Sequence, residues 1–167
     1  EIAAGDVLFA IPLKLVITIQ TVLDSEFGQQ LQPRFSQHKI SEEGMLILFL
    51  IAEMGNVKSV WKPFLDAVDI PEDWPFSEQV GESLEGTPVI TEFEQMHQEY
   101  QEDLTQILTA LSQSKATQHL HDPQAHTMDN YIKARLILET RSAKNIRIQG
   151  VLYQHAILPL AVIPKSH

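Results

Sequence analysis

No cysteine occurs among the 167 residues, which excludes disulfides and any thiolate zinc site. Basic residues are scarce as well: 12 Lys and Arg stand against 22 Asp and Glu, for a formal net charge of −10 and a pI of about 5.0. That balance argues against sequence-independent binding to nucleic acid or to an anionic membrane, since both need a basic face. It leaves a basic protein partner open. Long hydrophobic runs are missing too. The longest, Met45–Ala52, has eight residues, far short of the roughly 20 that cross a bilayer as a helix, and no signal peptide is visible. There is no phosphate-binding P-loop, no GxSxG elbow and no GxGxxG opening a helix. Internal repeats and low-complexity segments are absent.

What is present is a chain with 44% apolar residues, enough for one domain with a sizeable core. Its organising stretch is Met128–Asn145, MDNYIKARLILETRSAKN. It reads as one helix, apolar on nearly every side at Ile132, Ala134, Leu136, Ile137 and Leu138, and such a helix is normally buried. Arg141 follows Leu138 and Ile137 by three and four residues, so its side chain leaves from their face. A guanidinium there needs an anion or several carbonyl acceptors. One reading is an arginine that caps its own helix or pairs with Glu139 or Asp129. The other is an arginine facing a ligand site at the helix end.

Before it, Val7–Ile11 and Leu15–Ile19 read as short strands split at Pro12. Leu23–Pro33 reads as a short helix and loop ended near Gly28 and Pro33. Ser41-Glu42-Glu43 caps a core helix over Met45–Ala52 that Gly55-Asn56 stops. Val60–Val68 is a short element broken at Pro63, Ile70–Phe76 a loop and Ser77–Leu84 a weak helix. Thr87 and Pro88 suit the N-cap and first position of a long amphipathic helix. Its stripe runs through Ile90, Phe93, His97, Tyr100, Leu104, Ile107 or Leu108, and Leu111, with Glu92, Glu94, Glu99 and Glu102 outside it. His97 reads as a core or boundary histidine. His119, His121, Asp122 and His126 cluster in a polar loop, where a functional metal site is disfavoured for want of a thiolate partner. Ile146–Ile163 reads as one or two strands. Strands, a helical block and strands again predict an α+β domain whose sheet is interrupted by a helical insertion.

Several segments, in order, resemble the SET-domain protein methyltransferases of the Rubisco large-subunit lysine methyltransferase type. Glu1–Pro12 (EIAAGDVLFAIP) is similar to their opening "I-x-x-G-[ED]" strand run. Ser59–Leu65 (SVWKPFL) resembles "S-x-W-x-P-Y-L", with Phe64 for the tyrosine. Leu84–Pro88 (LEGTP) resembles "L-x-G-[ST]". Tyr131–Ala143 (YIKARLILETRSA) resembles the helix ending "[ST]-R-[AS]", and Ile157–Ala161 (ILPLA) the strand "L-[VI]-P-[LF]-A-D".

The resemblance implies a single partial SET domain over 1–167. About 1–40 would hold N-terminal strands, about 41–127 a mainly helical insert, and about 128–167 a return helix and strand. It further implies an intracellular S-adenosylmethionine-dependent enzyme acting on a protein substrate that carries the target lysine, or less readily a histidine. Cytoplasm, nucleus and plastid are not distinguished. Arg141 would border both cofactor and substrate channel, which tips its reading toward function. The departures are as definite. The family's cofactor glycines would precede Glu1. Val162 stands where the aspartate of "D-x-x-N-H" belongs, and Ile163–His167 contains no Asn-His pair. No catalytic residue can therefore be assigned, and no metal is expected. The expectation is a fragment truncated before the end of the SET domain and inactive alone. The alternative is a non-catalytic helical module or truncated isoform docking a basic protein segment.

Overall fold

The computed structural model describes residues 10–37, 39–68, 82–113, 117 and 120–159. Most of Val7–Ile11, all of Ile70–Phe76, most of Ser77–Leu84, His119 and 160–167 therefore lie outside the described residues. The strand expected over Leu15–Ile19 is shorter than that. Leu13–Leu15 form a 3-10 turn, and only Ile17–Thr18 (β1) pairs as a strand. The chain turns into a helix at once because Thr18 caps it: Thr18 Oγ1 accepts from the Thr21 amide at 3.3 Å, and Thr21 Oγ1 accepts from the Thr18 amide at 3.2 Å.

That helix, Ile19–Asp24 (α1), and the next, Glu26–Ser36 (α2), replace the single short helix expected from Leu23. Gly28 and Pro33 lie inside α2 and do not end it. Gly28 is there for close approach, since a Cβ would sit 1.8 Å from the Val22 carbonyl oxygen. Pro33 falls late in the helix, where its fixed φ is helical and only one main-chain donor is lost.

The core is built around Glu42–Gly55 (α3). Ser41 Oγ accepts from the Gly44 amide at 3.0 Å, with Glu42 and Glu43 in the positive first turn. Every residue from Gly44 to Ile51 is buried. A helix apolar all round needs cover on all sides, and α1, α2, a short helix Lys62–Asp66 (α4) and the helix Met128–Arg141 supply it. Ala52, expected in the core helix, is only partly buried, as are Trp61 and Phe64. Trp61 packs edge-on to Phe49 at 5.4 Å and donates its indole N–H to the Leu15 carbonyl at 2.9 Å, fastening the N-terminal turn.

Val89–Ser112 (α5) buries Ile107, Ala110 and Leu111 near its end. Thr87 does not cap it: its hydroxyl donates to the Leu84 carbonyl at 2.7 Å, and Pro88 holds the cap position. Met128–Arg141 (α6) is capped by Thr127 and buries Tyr131, Ile132, Ala134, Leu136, Ile137 and Leu138. It stops at Arg141, not Asn145. Past Leu138 the apolar face ends, and Ser142–Ile148 (β2) pairs with Val151–Ile157 (β3) in a hairpin. Gln149 and Gly150, at φ 49 and 85, form the two-residue turn. The sheet order is β1-β3-β2, antiparallel throughout, so Ile17, Ile157 and Ser142 lie in one row across it.

Candidate functional site

The end of α6 meets this row of the sheet, and Arg141 sits at the junction. Its neighbours make capping by its side chain unnecessary. Ser142 Oγ donates to the Leu138 carbonyl, and the Leu158 amide donates to the Arg141 carbonyl at 3.0 Å. Arg141 is partly buried and, among the described residues, its guanidinium has no hydrogen-bond or ion-pair partner. Glu139, one of the two partners the sequence offered it, is engaged elsewhere. A guanidinium left without a carboxylate can take a planar anion or a set of carbonyl oxygens in a two-pronged grip.

Glu139 belongs to a polar cluster between α3, α5 and α6 that sequence reasoning missed. Arg135 Nε donates to Glu139 Oε1 at 2.8 Å and Arg135 Nη1 to Glu43 Oε2 at 2.9 Å. The Arg135 guanidinium also lies over the Tyr100 ring, 5.3 Å from its centre, and the Tyr100 hydroxyl donates to Glu139 Oε1 at 3.1 Å. Tyr131, fully buried, donates to Asp103. Burial pushes the Arg135 pKa down, but the Glu139 hydrogen bond and the Glu43 charge outweigh it and raise it overall. Burial, then the Asp103 hydrogen bond, raises that of Tyr131. Only the i,i+4 spacing of Arg135 and Glu139 signalled the cluster in the sequence. It reads as a strut, since every charged group in it already has a hydrogen-bond partner inside the cluster.

The histidine loop folds into a local turn. His121 and His126 stack at 5.7 Å, and His126 Nδ1 accepts from the Asp122 amide at 3.1 Å. That bond places the proton of the neutral ring on Nε2, which leaves no lone pair for a metal. Burial, then His121, lowers the His126 pKa. Among the described residues no group of three His, Asp or Glu could hold a metal ion, and no helix is long and apolar enough to cross a membrane.

Together the elements define a class: a small antiparallel sheet bearing a helical insertion, the fold of part of a SET domain. Two solved structures carry that likeness. The SET domain of LSMT bound to MeLysine and AdoHcy superposes with a TM-score of 0.72 at 23% identity, over 96% of this chain and 35% of that one. The same domain bound to Lysine and AdoHcy gives 0.68 at 22%, over 90% and 32%. LSMT is the Rubisco large-subunit lysine methyltransferase. The chain thus spans about a third of the structures it matches. No protein-family model matches the sequence, and no curated protein does.

Proposed function

We propose that the chain is part of an S-adenosylmethionine-dependent protein-lysine N-methyltransferase, with Arg141 bordering both cofactor and substrate channel. One observation carries the reading: a half-buried arginine, freed from helix capping and from Glu139, stands where the helix of a SET-like fold enters its sheet. The chemistry of that donor suits the group, because S-adenosylmethionine presents a carboxylate that a guanidinium can grip. When bound, the cofactor supplies the methyl group. The part of this chain is to orient and to exclude water, which is most of what in-line transfer to a neutral amine asks of a protein. Neither a Gly-x-Gly nor an Asn-His pair occurs in the 167 residues, so we assign turnover to a longer polypeptide that carries them and none to this chain alone.

Cofactor affinity by calorimetry and turnover by product mass, in that longer polypeptide, test the reading. Arg141→Lys and Arg141→Ala are both expected to weaken binding or transfer at least tenfold, about 1.4 kcal/mol, with little change in melting temperature. Arg147→Gln, at an exposed cation of the hairpin that follows α6, serves as control. Glu139 does not, because it holds Arg135 and Tyr100. Full activity in Arg141→Lys would return Arg141 to a structural role. A second reading, a non-catalytic module for a basic protein segment, draws support from the exposed Glu92, Glu94, Glu99 and Glu102 of α5. Absence of both cofactor binding and turnover, with a basic peptide still bound, would favour it.

A further inference from the structure

His126 closes the loop that leads into α6, and it is only 8% exposed. The loop is a circuit of hydrogen bonds. The Asp122 carbonyl accepts from the Ala125 amide at 3.1 Å and from the His126 amide at 2.8 Å, and Asp122 Oδ1 accepts from the Gln124 amide at 2.9 Å. The His126 ring completes the circuit, because its Nδ1 accepts from the Asp122 amide at 3.1 Å. The turn is then tied to α6. Asn130 Nδ2 donates to the Ala125 carbonyl at 2.7 Å, and Thr127 Oγ1 accepts from the Asn130 amide at 3.3 Å. Only a neutral imidazole completes this circuit. A proton added to Nδ1 sets N–H against N–H and leaves a buried donor without an acceptor.

The surroundings give an imidazolium little help. His121 stacks on the ring at 5.7 Å with the planes 3° apart, so a charge on one ring meets a second ring that itself titrates. The face of α5 beside His121 carries Thr105, Leu108, Thr109, Ser112 and Gln113, none of them ionisable. On α6, Asp129 is exposed, and the helix presents its positive end to the loop. Asp122 favours the charge, but its Oδ1 is already taken by Gln124. Burial, then His121, outweighs Asp122 and holds the His126 pKa down.

We propose that the 122–126 turn is an acid-released latch on the N-terminus of α6: a proton on His126 Nδ1 breaks the bond to the Asp122 amide, the ring leaves its buried site, and the first turn of α6 frays. The inference is independent of the methyltransferase reading. Released, the ring is an ordinary exposed histidine that takes up a proton near about pH 6.5. The released form binds more protons than the closed form below that value. The latch is therefore fully held above about pH 6.5 and weakens as pH falls.

Amide hydrogen exchange of the full chain from about pH 7.5 to about pH 5, referred to intrinsic exchange rates, is the test. Protection of the Asp122 amide is expected to fall up to about tenfold per pH unit below 6.5, the linkage of one proton. Its exchange should also be insensitive to low urea, unlike that of the α3 amides, which marks the opening as local. In parallel, 15N NMR of the His126 ring should show Nδ1 bare and Nε2 protonated at neutral pH, with proton uptake over the same range. His126→Asn, whose Oδ1 accepts in place of Nδ1 but takes no proton, is expected to remove the pH dependence at Asp122. A ring that gains its proton while Asp122 keeps its protection would overturn the proposal. So would a ring with Nδ1 protonated at neutral pH, an Asp122 amide that shares the urea dependence of α3, or an unchanged slope in His126→Asn. Should that variant not fold, ring and amide followed together in the wild type decide alone, and midpoints that differ would count against the latch.

Discussion

At the scale of single residues, the described structure separates positions that look alike in the sequence. Gly28 and Gly55 are both helical glycines, but only the first is needed. A Cβ at Gly28 would run into the Val22 carbonyl at 1.8 Å, whereas nothing lies within 4 Å of one at Gly55. Gly28→Ala is expected to cost about 1–3 kcal/mol or more, because main chain must move. Gly55→Ala should gain up to about 1 kcal/mol from helix propensity. Urea titration of the two variants measures the contrast, and equal shifts would contradict the close approach of α1 and α2. Arg141 and Arg135 are a second such pair. They lie six residues apart on one helix, yet Arg135 is saturated with partners and Arg141 has none among the described residues. The sequence marked Arg141 by its place on an apolar face. It could not mark Arg135, whose second carboxylate, Glu43, is 92 residues away.

At the scale of elements, the helices were legible where periodicity and capping agreed. Ser41 stood before two acids and an apolar run, and α3 begins there. Ser41→Ala removes the acceptor of the Gly44 amide and is expected to cost about 1 kcal/mol, read from the urea midpoint at unchanged slope. A null effect would mean that water caps the helix equally well. Thr87 looked like a cap too, but its hydroxyl was claimed by the Leu84 carbonyl one turn back. The strands were less legible. β1 has two residues, too few for a period to register. β2 follows α6 without a break, so residues 142–145 were read as more helix until their pairing with β3 is seen. That pairing is long-range information, which local pattern does not carry. The hairpin turn used Gln149 at positive φ, a residue that gives little turn signal.

At the scale of the molecule, the general class, an α+β chain with a helical insertion, followed from the order of elements. Arg141 was expected at a helix end, because an all-round apolar helix has to emerge at the edge of the core, and α6 does end there. The sheet row through Ile17, Ile157 and Ser142 has a further consequence, for the order of assembly. The β1–β3 pair joins residues 17 and 157, so nearly the whole chain is the loop that this pairing closes. Closing so long a loop before the helices condense would set entropy against only two strand residues. The sheet should therefore dock late. Ile17→Val, a loss of about 0.5–1.5 kcal/mol, is expected to leave the folding rate unchanged and to appear wholly as faster unfolding. Stopped-flow chevrons decide this, and a slowed folding arm would place the strand pair in the nucleus instead. During synthesis the consequence is vectorial. Residue 17 emerges first and waits for residue 157, so β1 stays an unpaired edge while the 139 residues between them are made, with only the Thr18 cap and α1 to keep it from other strands.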